Sequence, residues 1–230
     1  MMKKIGLILG LSLLGVTACQ KAALKKPVEV NFSFDLDDGT ENPGTVKINK
    51  GEINLSNFNV SGTRVEGEDI EFMRPFENGL LTDMNGSGEV KELDYQIPQG
   101  DYTSIILDFS TTVGDAQNPS FFIEGKYQPI AGSPKDIRFE MVSSINYQID
   151  GEAADGLSSI IMDKKLGKKV EIDFDPTVWF ETISEDEWDD AEEIGIGSGP
   201  DMFLINASNN YDIYTEVSAR LHLGVTAIFK

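Results

Sequence analysis

Carboxylates are the only side chains in this sequence numerous enough to do chemistry together, and spacing separates two groups of them. Asp35, Asp37, Asp38 and Glu41 surround Gly39 in a turn-forming stretch. Glu171, Asp173 and Asp175 alternate with Val170, Ile172 and Phe174, so an extended strand places three carboxylates on one face, about 7 Å apart. Hard oxygen ligands are all that Ca²⁺ requires, which makes either group a candidate Ca²⁺ site. The competing expectation for each is a solvated acidic edge that keeps the sheet from pairing with another sheet. A third group, Trp179, Phe180 and Trp188, with Tyr211 and Tyr214 further on, has the composition of a platform for stacking a sugar ring. The same aromatics equally suit anchors that pin a short helix onto a core. The run from Ile183 to Glu193 is acidic to its end, where Asp190, Glu192 and Glu193 oppose a helix dipole that a counter-ion or a basic partner would relieve.

Other chemistries are poorly served. One His and one Cys in 230 residues exclude the common zinc sites and most nucleophile–histidine machinery. That histidine, His222, is expected in the last turn of a C-terminal helix, where a cation favours the dipole. Carboxylate pairs spaced for glycoside hydrolysis arise by chance in a chain with 39 acidic residues, so they select no activity. With 39 acidic against 19 basic residues the net charge is −20, a field that repels a phosphate backbone and excludes nucleic acid as a partner. At 40% hydrophobic and 25% charged residues the composition is that of a folded protein of one domain or two small ones.

The N-terminus has its own pattern. Lys3 and Lys4 precede an apolar run from Ile5 to Val16, too short for a hydrocarbon core that takes about 20 residues to cross, and this reads as a signal peptide. The run ends Leu14-Gly15-Val16-Thr17-Ala18-Cys19, which resembles the lipobox of bacterial lipoproteins. The resemblance implies cleavage before Cys19, a diacylglyceryl thioether on its sulfur, membrane lipid as a partner and a place at the outer membrane. Residues 1–18 are then the signal peptide and 19–27 a lipidated tether, whose Lys21, Lys25 and Lys26 suit an anionic lipid surface. This basic run does not select between the periplasmic and the surface-facing leaflet. Beyond Pro27 there remain 14 basic against 39 acidic residues, so the body should stand off the surface its tether touches.

The elements that must position the acidic and aromatic groups are mostly strands. Val28–Leu36 alternates strictly, and further alternating runs cover 53–60, 70–76, 90–97, 102–111, 121–127, 137–141, 145–149 and 170–174, each bounded by Gly, Pro, Asn or Asp. Asp37-Asp38-Gly39 and Asp150-Gly151 read as turns. Ser184 and Glu187 form a capping box that starts a short acidic helix reaching about Glu193. Asn209 or Asn210 caps a second helix with Ile213, Tyr214, Val217 and Leu221 on one stripe, an i,i+4 pair of Glu216 with Arg220, and Gly224 as its stop. Val225–Phe229 reads as a last strand. The fold class expected is mainly β: an antiparallel β-sandwich over residues 28–175, with a short α-helical C-terminal addition, residues 176–230, packed on it.

Two local resemblances accompany this. Asp35 to Glu41 resembles the start of an EF-hand loop, with Gly39 at the fifth rather than the sixth position and no Glu at the twelfth. Pro98-Gln99-Gly100-Asp101-Tyr102 followed by a strand resembles the pattern of transthyretin-like and immunoglobulin-like sandwich domains in envelope proteins. It implies a left-handed turn at Gly100 and a Tyr102 ring over the sandwich edge with its hydroxyl on backbone. Together these point to a non-enzymatic, lipid-anchored envelope module that binds a glycan or another envelope protein. A fimbrial or adhesin-type subunit and a carboxylate-based hydrolase are the alternatives. Replacing Cys19 with Ala should abolish acylation and leave the protein unprocessed or soluble; an unmodified Cys19 thiol in the mass spectrum of the native protein would contradict this.

Overall fold

Val28, Val30, Phe32, Phe34 and Leu36 are all buried along one face of the first strand, which is the outcome their alternation predicts. The computed structural model describes residues 27–39, 42–85, 90–163, 168–195 and 201–230; the segment expected to be a signal peptide, Cys19, most of the expected tether and Glu41 lie outside them. Strands make up 58% and helices 12% of the described chain. The strands are β1 (Pro27–Leu36), β2 (Thr45–Arg64), β3 (Ile70–Asp83), β4 (Tyr95–Pro98), β5 (Gly100–Thr111), β6 (Phe121–Gln128), β7 (Lys135–Met141), β8 (Asn146–Ala153), β9 (Ile160–Met162), β10 (Lys168–Phe174), β11 (Glu193–Gly195), β12 (Asp201–Ile205) and β13 (Val225–Phe229). Among the described residues three α-helices, α1 (Pro176–Phe180), α2 (Glu185–Asp189) and α3 (Tyr211–Arg220), interrupt the last third.

All thirteen strands among the described residues belong to one curled sheet, a half-barrel, with β11-β12-β7-β6-β2-β5-β8-β13-β10-β1-β4 in order and β3 and β9 attached to β2 and β5. Two separate antiparallel layers were expected. Instead the sheet is continuous and mixed, because β1 pairs β10, β12 pairs β7 and β13 pairs β8 in parallel. Curling lets one sheet cover its own apolar face. Phe34 of β1 meets Phe58 of β2 and Phe109 of β5 across the interior at 6.4 and 5.6 Å between ring centroids, while Phe58 stacks on Phe109 at 5.5 Å. The long β2 makes the curl possible: bulges near Ile48–Lys50 and Leu55–Asn57 bend it so that it borders β6 along its first half and β5 along its second.

Residues 176–230 are not a helical addition laid on a finished sandwich. They return three strands to the sheet, and β13 lies between β8 and β10. Asp150-Gly151 is consequently not a turn. Strand β8 runs through it, and Gly151 is needed because a Cβ there would stand 2.5 Å from the Phe229 ring of β13. The Ser184–Glu187 capping box forms as predicted, with the Ser184 amide 2.8 Å from the Glu187 carboxylate, but its helix stops at Asp189. Asn210 occupies the N-cap position of α3 without capping it. Its carboxamide instead joins the Glu192 and Leu204 carbonyls, tying α3 to the β11–β12 hairpin. Arg220 turns away from Glu216 to the Val178 carbonyl and the Glu181 carboxylate, so the anticipated i,i+4 pair is replaced by contacts to α1 and the turn after it.

The aromatic platform is a core feature. Trp179, Phe180 and Trp188 are 0, 5 and 3% exposed, which leaves no face for a sugar ring and overturns the ligand-stacking expectation. The Trp179 indole donates to the Leu223 carbonyl at 2.8 Å and packs edge-on against Phe121 and Phe174; Trp188 stacks on Tyr127 at 4.2 Å. Five-residue helices have no stability of their own, so these indoles hold α1 and α2 on the sheet. Truncating Trp179 to Ala should cost about 3–5 kcal/mol, read as a lower urea midpoint; an unchanged midpoint would refute its structural role.

Candidate metal centre

Parallel pairing of β1 with β10 sets the geometry of the acidic site. Phe34 is in register with Ile172, Asp35 with Asp173 and Leu36 with Phe174, so the apolar members of both strands turn inward together and the acidic ones turn outward together. Glu171 lies two residues before Asp173 on the same face. One oxygen each from Asp35, Glu171 and Asp173 falls within 4.8 Å of the others, and all three residues are half-buried. They line a groove of about 550 Å³ together with Asp37, Asp38, Asp175, Gly224 and Thr226.

Two acidic sites predicted separately are therefore one. Not every predicted ligand faces it in the same way. Asp37 folds its carboxylate back onto the Gly39 amide at 2.8 Å, an Asx turn. Asp175 caps α1, accepting from the Thr177 amide at 2.9 Å and from the Thr177 hydroxyl. Both carboxylates are thus committed to ending β1 and starting α1. Asp38 sits on the rim, its carbonyl taken by the Ile48 amide. The loop does not continue as an EF-hand: Thr45 already opens β2, and the converging carboxylates come from two strands rather than one loop.

Sequence reasoning missed the cations. Lys230 approaches Glu171 at 2.7 Å and Lys169 approaches it at 3.5 Å. The hydrogen bond from Lys230 holds the Glu171 carboxyl below the usual carboxylate range, with both ammonium charges adding to the effect. Asp173 moves the other way. Burial pushes its carboxyl up, and the charges of Glu171 and Asp35 push it further. The signal that joins the two groups was present in the chain: Phe34-Asp35-Leu36-Asp37 and Ile172-Asp173-Phe174-Asp175 share an apolar–Asp–apolar–Asp pattern, as adjacent parallel strands with one solvent face would.

Comparison of the chain with protein families, with curated proteins and with solved structures finds no match. The site must be judged on its chemistry. Three carboxylates with oxygen ligands at this spacing suit a hard cation, and the repulsion between Asp35 and Asp173 is the energy such a cation would relieve. Since the Asp173 carboxyl is raised in the folded state, that state holds more protons than the unfolded one just above the ordinary carboxylate range, and this group's contribution to stability falls as pH rises through that window. Asp173→Asn, in chelator at neutral pH, should therefore stabilise the protein by roughly 0.2–1 kcal/mol, with the gain shrinking towards about pH 4. Urea unfolding at the two pH values checks this, and a destabilised variant would remove the account of repulsion.

Proposed function

We propose that this protein is a non-enzymatic, lipid-anchored module of the bacterial cell envelope, held at the outer membrane through an acylated Cys19, that binds a partner through a cation-dependent groove built on Asp35, Glu171 and Asp173. The observation that carries the cation is the convergence of these three carboxylates from two strands. The anchor is supported by the lipobox-like stretch ending at Cys19 and the basic tether after it. The bound cation is Ca²⁺, the hard ion that accepts carboxylate oxygens without nitrogen or sulfur ligands. A glycan's hydroxyl groups or a carboxylate of another envelope protein would complete its coordination.

Kinship with transthyretin-like sandwich domains belongs to the same reading. It is supported by Gly100 at φ +148° and by the Tyr102 hydroxyl, which donates to the Pro98 carbonyl at 2.7 Å while its ring is fully buried. A carboxylate-based hydrolase has one observation in its favour, the opposed displacement of the Glu171 and Asp173 carboxyls, since an acid and a base held apart in this way are what glycoside cleavage uses. Binding is preferred because three carboxylates converge with their oxygens within 4.8 Å of one another, where glycoside cleavage uses only two.

Ca²⁺ at 100 times its dissociation constant should stabilise the wild-type fold by about 2.7 kcal/mol, and Asp35→Asn with Asp173→Asn should abolish the shift. A melting temperature indifferent to millimolar Ca²⁺ and to chelator would sink the reading. Turnover of a chromogenic glycoside, lost in Asp173→Asn, would replace it with the hydrolase.

A further inference from the structure

The two ends of the half-barrel differ. The chain enters it at Pro27, in register with Pro98 of β4, and β10 starts beside it, Lys168 opposite Val30. Strand β5 also starts at this pole, with Gly100 and Asp101, and β8 and β13 end there, Ala153 beside Phe229. The acidic groove lies at the other pole, where β1 and β10 finish. A β1 of ten residues at about 3.3 Å each separates the two poles by roughly 30 Å.

Large apolar side chains stand in solvent at the entry pole. Val65, whose amide donates to the Asp101 carbonyl, is 60% exposed; Ile161, the cross-strand partner of Asp101, is 45% exposed; Leu157, beside Ile160 and Tyr102, is 53% exposed. These residues come from three different segments, the turn after β2, the turn after β8, and β9, and they converge only in the fold. From Cys19 to Pro27 the chain has eight peptide steps, a reach of at most about 28 Å at 3.3–3.6 Å per residue. A chain anchored at Cys19 cannot move this pole further than that from its lipid, and such a tether keeps the local concentration of bilayer high enough for a weak apolar contact to be populated.

We infer that this pole is a membrane-contact surface, with Val65, Leu157 and Ile161 dipping into the headgroup layer of the bilayer that holds Cys19, so that the acidic groove is presented away from the lipid. This inference rests on the lipid-anchor reading above. Exposed Glu66, Glu68, Asp69 and Asp155 flank the three side chains, so the contact is apolar, forms on neutral lipid, and is opposed by anionic lipid, which repels the acidic body.

Acylation consumes the chain's single Cys, and an introduced Cys is therefore a unique labelling site. The acylated full-length protein carrying Leu157→Cys, Ile161→Cys or, at the opposite pole, Val113→Cys would be labelled with a fluorophore. Each would be reconstituted in vesicles of phosphatidylcholine and phosphatidylethanolamine containing a nitroxide-bearing phosphatidylcholine. Labels at 157 and 161 should be quenched several-fold more than the label at 113, which is 79% exposed in the wild-type fold. Protein that floats with the vesicles but shows equal, weak quenching at all three sites overturns the contact and leaves the anchor intact. Protein that fails to float and carries an unmodified Cys19 overturns both.

Discussion

A single sheet has to bury its own apolar face here, and the cluster of Phe34, Phe58, Phe109 and Phe174 with Tyr147 is where it does so. Phe34 packs against three of these rings at once, and Tyr147 stacks on Phe109 and meets Phe174 edge-on. Within each wall these rings sit on paired strands, β1 with β10 and β2 with β5 and β8, and the two walls meet only because the sheet curls. Side chains of this size carry the largest share of the hydrophobic term. The bulges of β2, the glycine at 151 and the return of β13 to the sheet all serve to bring those walls together.

The acidic site is a by-product of that same requirement. In a strand, consecutive residues point to opposite faces, so fixing Phe34 and Phe174 inward fixes Asp35 and Asp173 outward and beside each other. Like charges in cross-strand register are unfavourable, and the protein offsets part of this with Lys230 and Lys169 on Glu171 rather than on the aspartates. Asp37 and Asp175, two residues further along each strand, are spent on turn and cap formation. The groove thus grades from carboxylates that shape backbone to carboxylates that face solvent with no comparable duty.

What could be read in the chain followed the range of each signal. Strand positions along β1, β5, β7 and β10 were legible because alternation is a local property of four to eight residues. The capping box at Ser184 was legible for the same reason; the turn at Gly100, where φ is +148° and a Cβ would press on the Arg64 guanidinium, was implied only by the resemblance of Pro98 to Tyr102 to sandwich domains. Neighbour order and strand direction were not, since nothing within Val28–Leu36 says that its partner lies 138 residues on. The two acidic groups were found individually and their union was missed on that account. Trp179, Phe180 and Trp188 show the opposite difficulty: the residue types suit burial and ligand stacking equally, and only packing against Phe121, Phe174 and Tyr127 decides between them.

The β1–β10 ladder also governs the order in which this chain can fold. Strand β1 lies between β4 and β10, and its partner in β10 is separated from it by more than half the sequence. Pairings of such separation form late, because the entropy of closing the intervening loop must be met before the contact returns anything. A polypeptide emerging from its N-terminus can pair the start of β1 with β4, but it would carry the β10-facing edge of this strongly apolar strand unsatisfied until residues 168–174 arrive, and β10 is itself complete only when Val225–Phe229 pairs with it. The first strand to appear is thereby among the last to be secured, which makes β1 the stretch most in need of a holding chaperone during synthesis.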